Sequence, residues 1–179
     1  MPILGIMASQ ISGHLWAPDG AYDALSTVTV PATAVSSITF AGIPNTYKHL
    51  QIRALYKCST TDNPYMRVNG DSSSIYSWHH LYGDGATAYS NGNSTQTFTY
   101  FGYSQNTTNP NAGIVDILDY ANVSKNKTFR ILAGQDNNGG GEVALWSGSY
   151  QSLSAINSIT FTTGGTFTQY SQFTLFGVK

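Results

Sequence analysis

Residues 47–56 read YKHLQIRALY, and the alternation in this stretch decides the fold class. Apolar side chains recur at every second position, while Gln51, Arg53 and Lys57 occupy most of the positions on the other side. Successive side chains of a strand point to opposite faces, so a period of two predicts a strand with one face in the core. The residues expected to face the core are Leu50, Ile52, Ala54 and Tyr56.

The rest of the chain repeats this pattern as short runs rich in Val, Ile, Thr, Phe and Tyr, separated by Gly, Asn, Asp, Ser or Pro. Such runs are typical of strands, and many short ones in succession are typical of an antiparallel sandwich of two sheets. Turns are expected at residues 69–71, 83–85, 91–92 and 137–141. The predicted strands are residues 25–30, 36–40, 47–56, 65–69, 75–82, 95–103, 113–120, 128–133, 142–147, 157–162 and 170–178.

Two segments add detail to this reading. Residues 114–118 read IVDIL and are apolar on both faces, which predicts a central strand covered on both sides, by a neighbouring subunit as one option. The tetrapeptide SITF occurs at residues 37–40 and again at 158–161. This echo supports two strand predictions and is too short to indicate a duplication.

Composition excludes several function classes. Only 9% of the residues are charged and the formal net charge is −1, so no overall field attracts nucleic acid or an anionic membrane. Cys58 is the single cysteine and is expected in the core. Polar residues interrupt the apolar opening of the chain, so neither a signal peptide nor a membrane span is predicted.

Candidate catalytic and metal-binding residues are few. His79, His80 and Asp84 form the densest set, but adjacent side chains of a strand face opposite ways and do not readily share an ion. Asp116 and Asp119 are separated by three positions and also face apart on a strand. Because no catalytic or cofactor motif occurs either, we expect no enzyme activity, no metal and no cofactor.

Aromatic residues are more informative, with 12 Tyr, 8 Phe and 3 Trp. Tyrosine and tryptophan rings beside polar side chains can form a sugar-binding platform or a subunit interface, and they can equally be ordinary core residues. The candidates for a ligand or interface surface are Tyr76, Trp78, His79, Tyr82, Asp84 and Tyr89.

The first 24 residues are predicted to form a distinct N-terminal arm, and residues 25–179 are predicted to form a single sandwich domain. The arm is apolar and almost uncharged, and we expect it to be either extended or folded into a short helix. It can fold back on its own domain or dock against another subunit. The arm residues expected at an assembly interface are Ile3, Leu4, Ile6, Met7, Ile11, Leu15 and Trp16.

Three segments resemble a known group of proteins. Residues 1–15 read MPILGIMASQISGHL and are similar to the opening of small virion proteins of tailed phages, including cyanophages. Residues 37–53 and 171–178 resemble the same group, and together the three segments cover less than a quarter of the chain. The middle of the chain carries no such resemblance.

The resemblance implies a virion structural protein with a jelly-roll sandwich, either a trimeric capsid cement (decoration) protein or a tail fibre or spike tip. It implies a homo-oligomer, most simply a trimer, that is made in the host cytoplasm and then binds the major capsid protein on the outer capsid surface. For a fibre, the partners are tail proteins and a host surface glycan. The short chain, its apolar arm and the lack of a repetitive shaft favour cement.

Overall fold

The computed structural model of the protein describes residues 20–103 and 108–179. These residues form strands and no helix, so none of them belongs to a helix that could cross a membrane. The all-β prediction is confirmed. The strands are β1 (Tyr22–Thr29), β2 (Val35–Ala41), β3 (His49–Tyr56), β4 (Tyr65–Val68), β5 (Tyr76–Gly83), β6 (Ala88–Gln96), β7 (Thr99–Tyr100), β8 (Asn111–Leu118), β9 (Lys127–Asp136), β10 (Gly141–Tyr150), β11 (Ser158–Phe167) and β12 (Gln172–Val178).

The strands form two antiparallel sheets with a jelly-roll topology. The larger sheet has the order β1-β12-β3-β8-β9-β10-β5-β6, and the smaller sheet has the order β2-β11-β4-β7. In a jelly roll, eight strands pair first with last, second with seventh, third with sixth and fourth with fifth. The pairs β1 with β12, β2 with β11, β3 with β8 and β4 with β7 follow this scheme. The predicted jelly-roll sandwich is therefore confirmed.

Four further strands extend the larger sheet. The hairpin β5–β6 is inserted between the fourth and fifth jelly-roll strands, and the hairpin β9–β10 between the sixth and seventh. Both hairpins add beyond β8, with β9 pairing directly to it. The jelly-roll half and the inserted half of the larger sheet therefore meet between β8 and β9.

The core lies between the two sheets and is strongly aromatic. The Phe161 ring of the small sheet lies 4.7 Å from the Phe101 ring and 5.3 Å from the Phe173 ring of the large sheet. Burying a large apolar side chain contributes roughly 1.5–3 kcal/mol relative to leaving it in water. The four predicted core residues of β3 are all buried, as is Cys58.

Two of the predicted elements were wrong, and one strand begins earlier than expected. β6 was expected to be a turn around Asn91 and Gly92, yet it is a strand along the edge of the large sheet. Its polar residues are tolerated there because β5 supplies the backbone partners and almost all of its side chains face solvent. The expected strand at residues 95–103 is divided, since β6 ends at Gln96 and only Thr99–Tyr100 form β7. At the other end, β1 begins at Tyr22, inside the segment assigned to the arm.

The two SITF segments are neighbours in the small sheet. Phe40 pairs with Ile159 and Ile38 pairs with Phe161, so each segment is the antiparallel partner of the other. At the centre of this pairing the hydroxyls of Thr39 and Thr160 lie 3.0 Å apart. Similar residues are therefore placed in equivalent environments on either side of a local two-fold relation.

Candidate functional site

The outer face of the large sheet is the face that the small sheet does not cover. Alternate residues of β3, β8, β9 and β10 are buried on the inner face of the large sheet, and the residues between them point to the outer face. A polar outer face is the usual result for an antiparallel sheet that packs on one side only. Here the middle of the outer face is apolar.

Six large side chains form this surface, which we call the apolar band. Strand register places them in two adjacent rows across the sheet. In one row Leu132 pairs with Ile114 on one side and with Leu145 on the other. The next row has Ala112 and Gly134 at its centre. The band consists of Leu55, Leu81, Ile114, Leu132, Val143 and Leu145.

The band is large and unusually exposed for apolar residues. Leu132 is 50% exposed, Leu81 56% and Val143 60%. Together the six side chains expose on the order of 500 Å² of apolar surface, a size that on a monomer commonly marks an interaction site. Single exposed leucines need no explanation, whereas a contiguous patch does.

Charged residues border the band on one side. In the third row Asp116 pairs across the sheet with Arg130, and on its other side with Gln51. Gln51 Nε2 donates a hydrogen bond of 2.8 Å to Asp116 Oδ1, and Arg53 Nε donates one of 2.7 Å to Gln51 Oε1. Thr128 follows on the same face of β9 and is exposed. The apolar surface therefore ends at a defined polar row.

An open groove of about 900 Å³ lies at the opposite side of the band. Its lining includes Ala112 and Gly134, together with the turn residues 139–141 and 84–86. Asp84 Oδ1 accepts hydrogen bonds from the backbone N–H groups of Thr87 (2.7 Å) and Ala86 (2.9 Å). These bonds lower the pKa of the Asp84 carboxyl and hold the β5–β6 turn in shape.

The aromatic candidates of β5 are divided between the core and the surface. Tyr76 and Trp78 are buried on the inner face of the sheet. The hydroxyl of Tyr76 donates to the carbonyl oxygen of Asp71 at 3.1 Å, and burial raises the pKa of this phenol. His79 points to the opposite, outer face and is exposed, with its ring against Gly92 of β6. These three side chains do not line one pocket.

The remaining aromatic candidates do meet at the surface. The rings of Tyr82 and Tyr89 are stacked, with their centroids 4.8 Å apart, and Tyr89 is 41% exposed. Asp84 lies in the turn that joins their two strands. Tyr82, Asp84 and Tyr89 thus lie together at one end of the β5–β6 hairpin.

Asp116 and Asp119, the candidate carboxylate pair, lie in different surroundings. Asp116 lies on the outer face, whereas Asp119 follows β8 in a turn and forms an ion pair with Lys125. The hydrogen bond from Lys125 lowers the pKa of the Asp119 carboxyl. Within residues 20–103 and 108–179, no group of three or more His, Cys, Asp or Glu is arranged to hold a metal ion.

The predicted assembly residues of the arm lie outside the described residues. They are Ile3, Leu4, Ile6, Met7, Ile11, Leu15 and Trp16. Their docking therefore stays a prediction.

Most of the apolar band was not identified from the sequence. Only the two-faced segment at residues 114–118 indicated a second covered face, and Ile114 of that segment belongs to the band. A similar signal exists in β9, where Ile131 and Leu132 are adjacent, and in β10, where Val143 to Trp146 are all apolar. Apolar residues at both odd and even positions of a strand indicate that both faces of the strand are covered by other parts of a structure.

No family model matches the chain, and no curated protein or solved structure matches it either. The resemblance of residues 1–15, 37–53 and 171–178 to phage virion proteins therefore stays a prediction.

Proposed function

We propose that the chain is a non-enzymatic structural protein of a tailed-phage virion, and specifically a capsid cement protein that bridges capsid subunits on the outer surface of the head. The apolar band is the observation that carries the proposal. Contact with another protein would remove its area from water, at roughly 25 cal/mol per Å². A domain that acts alone gains nothing from this surface, whereas an assembled one is stabilised by it.

The carboxylates with a lowered pKa support a structural function. Asp71 accepts bonds from Ser73 and from the Tyr150 hydroxyl, and its pKa is lowered chiefly by Ser73. Asp84 closes a turn, and Asp119 pairs with Lys125. Each of these three carboxylates is thus engaged in holding a loop, which is a structural and not a catalytic use of a perturbed group.

The arm supplies the proposed contact with the major capsid protein. Its residues from Ile3 to Trp16 include no charged side chain, so docking them on a protein surface carries little cost from desolvating charge. We propose that copies of the chain associate with one another. The resemblance implies a trimer. The proposal needs no metal, cofactor, nucleic acid or membrane.

Attachment to heads tests this function. Tailed phage particles that lack the protein are mixed with purified chain, sedimented, and imaged with antibody to locate the chain on the head or on the tail. We expect Ile6→Asp with Ile11→Asp to abolish attachment without changing the unfolding temperature, because the apolar arm then carries charge. Ser9→Asp, at a polar position of the same arm, is the matched control and attaches. Attachment of the double variant, or its unfolding, would overturn the arm's proposed function, and labelling confined to the tail would exclude cement.

A tail fibre or spike domain is the second candidate. The stacked Tyr82 and Tyr89 rings beside Asp84 favour it, because an aromatic face next to a carboxylate is a common arrangement for binding sugars. On this alternative the chain binds a host surface glycan and labels the tail in the imaging experiment above.

A further inference from the structure

We infer that the apolar band is a self-association face, on which two copies of this chain pack their large sheets face to face about a two-fold axis. The axis runs along the strands between β8 and β9. This inference rests on the proposed function in one respect, since both assign the outer face to an assembly. It goes further by naming the occupant of that face as a second copy.

The position of β8 and β9 supports a two-fold axis. They are the fourth and fifth strands of an eight-stranded sheet, so an axis between them lies at its centre. Rotation about it places β8 over β9 of the second copy, β3 over β10, and β12 over β5. All eight strands then overlap, and the two sheets stack as aligned sheets do, with the strands within about 30° of each other.

Apolar residues of the band meet one another in this arrangement. Strand register puts Ile114 level with Leu132, and Leu55 level with Val143. Rotation therefore sets Ile114 of one copy over Leu132 of the other, and Leu55 over Val143. In an isologous interface each such contact occurs twice. Between them, Ala112 faces Gly134, where small residues let the sheets approach closely.

The charged row becomes complementary under the same rotation. Asp116 and Arg130 are level with each other on β8 and β9, so Asp116 of one copy lies over Arg130 of the other, twice in the pair. No ion-pair partner for Arg130 occurs within the described part of the chain. In the alternative arrangement, the strands of the second copy run in the opposite direction. The row of Asp116 and Arg130 would then lie over the end of the band that adjoins the groove, and the two charges would not meet.

Arg53 does not obstruct the contact, although it lies in the same row as Ile114. Its guanidinium lies over the rings of Tyr22 and Phe176, 5.2 Å and 5.0 Å from their centroids, on the side of β12 and β1. Its Nε is bonded to Gln51. The charge is thus held toward the rim of the interface.

The available area is sufficient for a stable pair. A standard interface buries about 800 Å² on each partner, with an apolar centre and a polar rim. The band supplies on the order of 500 Å² of apolar centre. The row of Asp116, Arg130 and Ser147 supplies a polar rim on one side.

A charge-swap mixing experiment tests the inference. Asp116→Arg puts arginine opposite Arg130 in both contacts of a pair, and Arg130→Asp puts aspartate opposite Asp116. We expect each variant alone to associate at least about tenfold more weakly than the unchanged chain, because like charges then face each other. Mixed in equal amounts, the two variants place opposite charges in both contacts, so the mixture should recover a species of twice the chain mass. Masses are measured by sedimentation velocity at matched micromolar concentrations.

Mixing separates contacts between copies from contacts within a chain. Asp116 and Arg130 are also neighbours in one sheet, but that relation is the same in the mixture as in each variant alone. Failure of the mixture to associate overturns the inference, as does a trimer that neither substitution weakens. Association that requires residues 1–19 and ignores both substitutions assigns the contact to the arm instead. If pairing fails but the chain still attaches to heads, the proposed function survives without the two-fold contact.

Discussion

Tight packing around the Tyr56 hydroxyl connects the large sheet to the segment that follows β7. This hydroxyl donates a 3.2 Å hydrogen bond to the carbonyl oxygen of Tyr103 and lies directly against Gly102. A Cβ atom at position 102 would overlap the Tyr56 oxygen and approach Cζ of the ring to 3.2 Å. Glycine is therefore required at this position by close approach, because interiors tolerate little added volume.

Gly102→Ala should lower the free energy of unfolding by roughly 1–3 kcal/mol, the usual cost of overpacking a core. In the background of Tyr56→Phe the same change should cost less, because the overlapping oxygen is gone. Denaturant titrations of the unchanged chain, the two single variants and the double variant, at one protein concentration, give the coupling energy between positions 56 and 102. Gly140→Ala is the control, since no atom lies within 4 Å of a Cβ built there. Equal costs of Gly102→Ala in both backgrounds would contradict this packing.

At the scale of elements, the inserted strands need a cover that the short small sheet does not fully supply. Rings on their inner face provide it, centred on His80 of β5. Its ring centroid lies 5.4 Å from that of Trp78 and 5.6 Å from that of Trp146. The Tyr103 ring, from the segment after β7, lies 5.3 Å from that of Trp146. Both ring nitrogens of His80 are buried without a hydrogen-bond partner in the described structure.

Mild acid should destabilise this packing. Burial lowers the pKa of His80 below its ordinary 6.5, so between the two values the unfolded chain binds a proton that the folded chain does not. Neutral His80 therefore contributes its full stabilisation above pH 6.5, and this contribution decreases as the pH falls below 6.5. We expect the unfolding temperature to fall between pH 7.5 and 5.5 in the unchanged chain, and to fall less with His80→Phe. His79→Gln, at an exposed position of the same strand, should retain the full decrease; an identical decrease in all three chains would contradict the assignment.

The sequence predicted elements well where one face is apolar and poorly where an edge strand is polar. In β3 the alternation from Leu50 to Tyr56 identified both the strand and its buried face. In β6 the Asn91-Gly92 pair has turn chemistry, and only pairing with β5 makes the segment a strand. Propensity is local, whereas an edge strand depends on a partner that is distant in the chain or joined through a turn.

The candidate site was predicted less completely than the fold. Aromatic composition indicated Tyr76 and Trp78, but composition does not reveal which face of a strand is covered, and both residues are buried. The apolar band depends on register, because Leu81, Leu132 and Leu145 become neighbours only when β5, β9 and β10 are aligned. Strand pairing is a long-range property that periodicity within one strand cannot supply.

At the scale of the whole molecule, the two faces of the large sheet have different surroundings. The inner face packs on the small sheet and completes the domain, while the outer face carries the apolar band. The inserted strands supply four of the six band residues, Leu81, Leu132, Val143 and Leu145. The extension of the jelly roll thus builds the surface that we assign to assembly.

Self-association through the outer face is tested most directly by measuring the mass of the chain in solution with one band residue changed. Leu132→Asp puts a charge at the centre of the band, and Thr128→Asp puts the same charge on the same face of β9, outside the band. By sedimentation at micromolar concentration, we predict that the unchanged chain and Thr128→Asp associate while Leu132→Asp is monomeric, with its fold retained by circular dichroism. An unchanged chain that is monomeric at this concentration, or a Leu132→Asp variant that associates as tightly as Thr128→Asp, would contradict the assignment of this face to assembly.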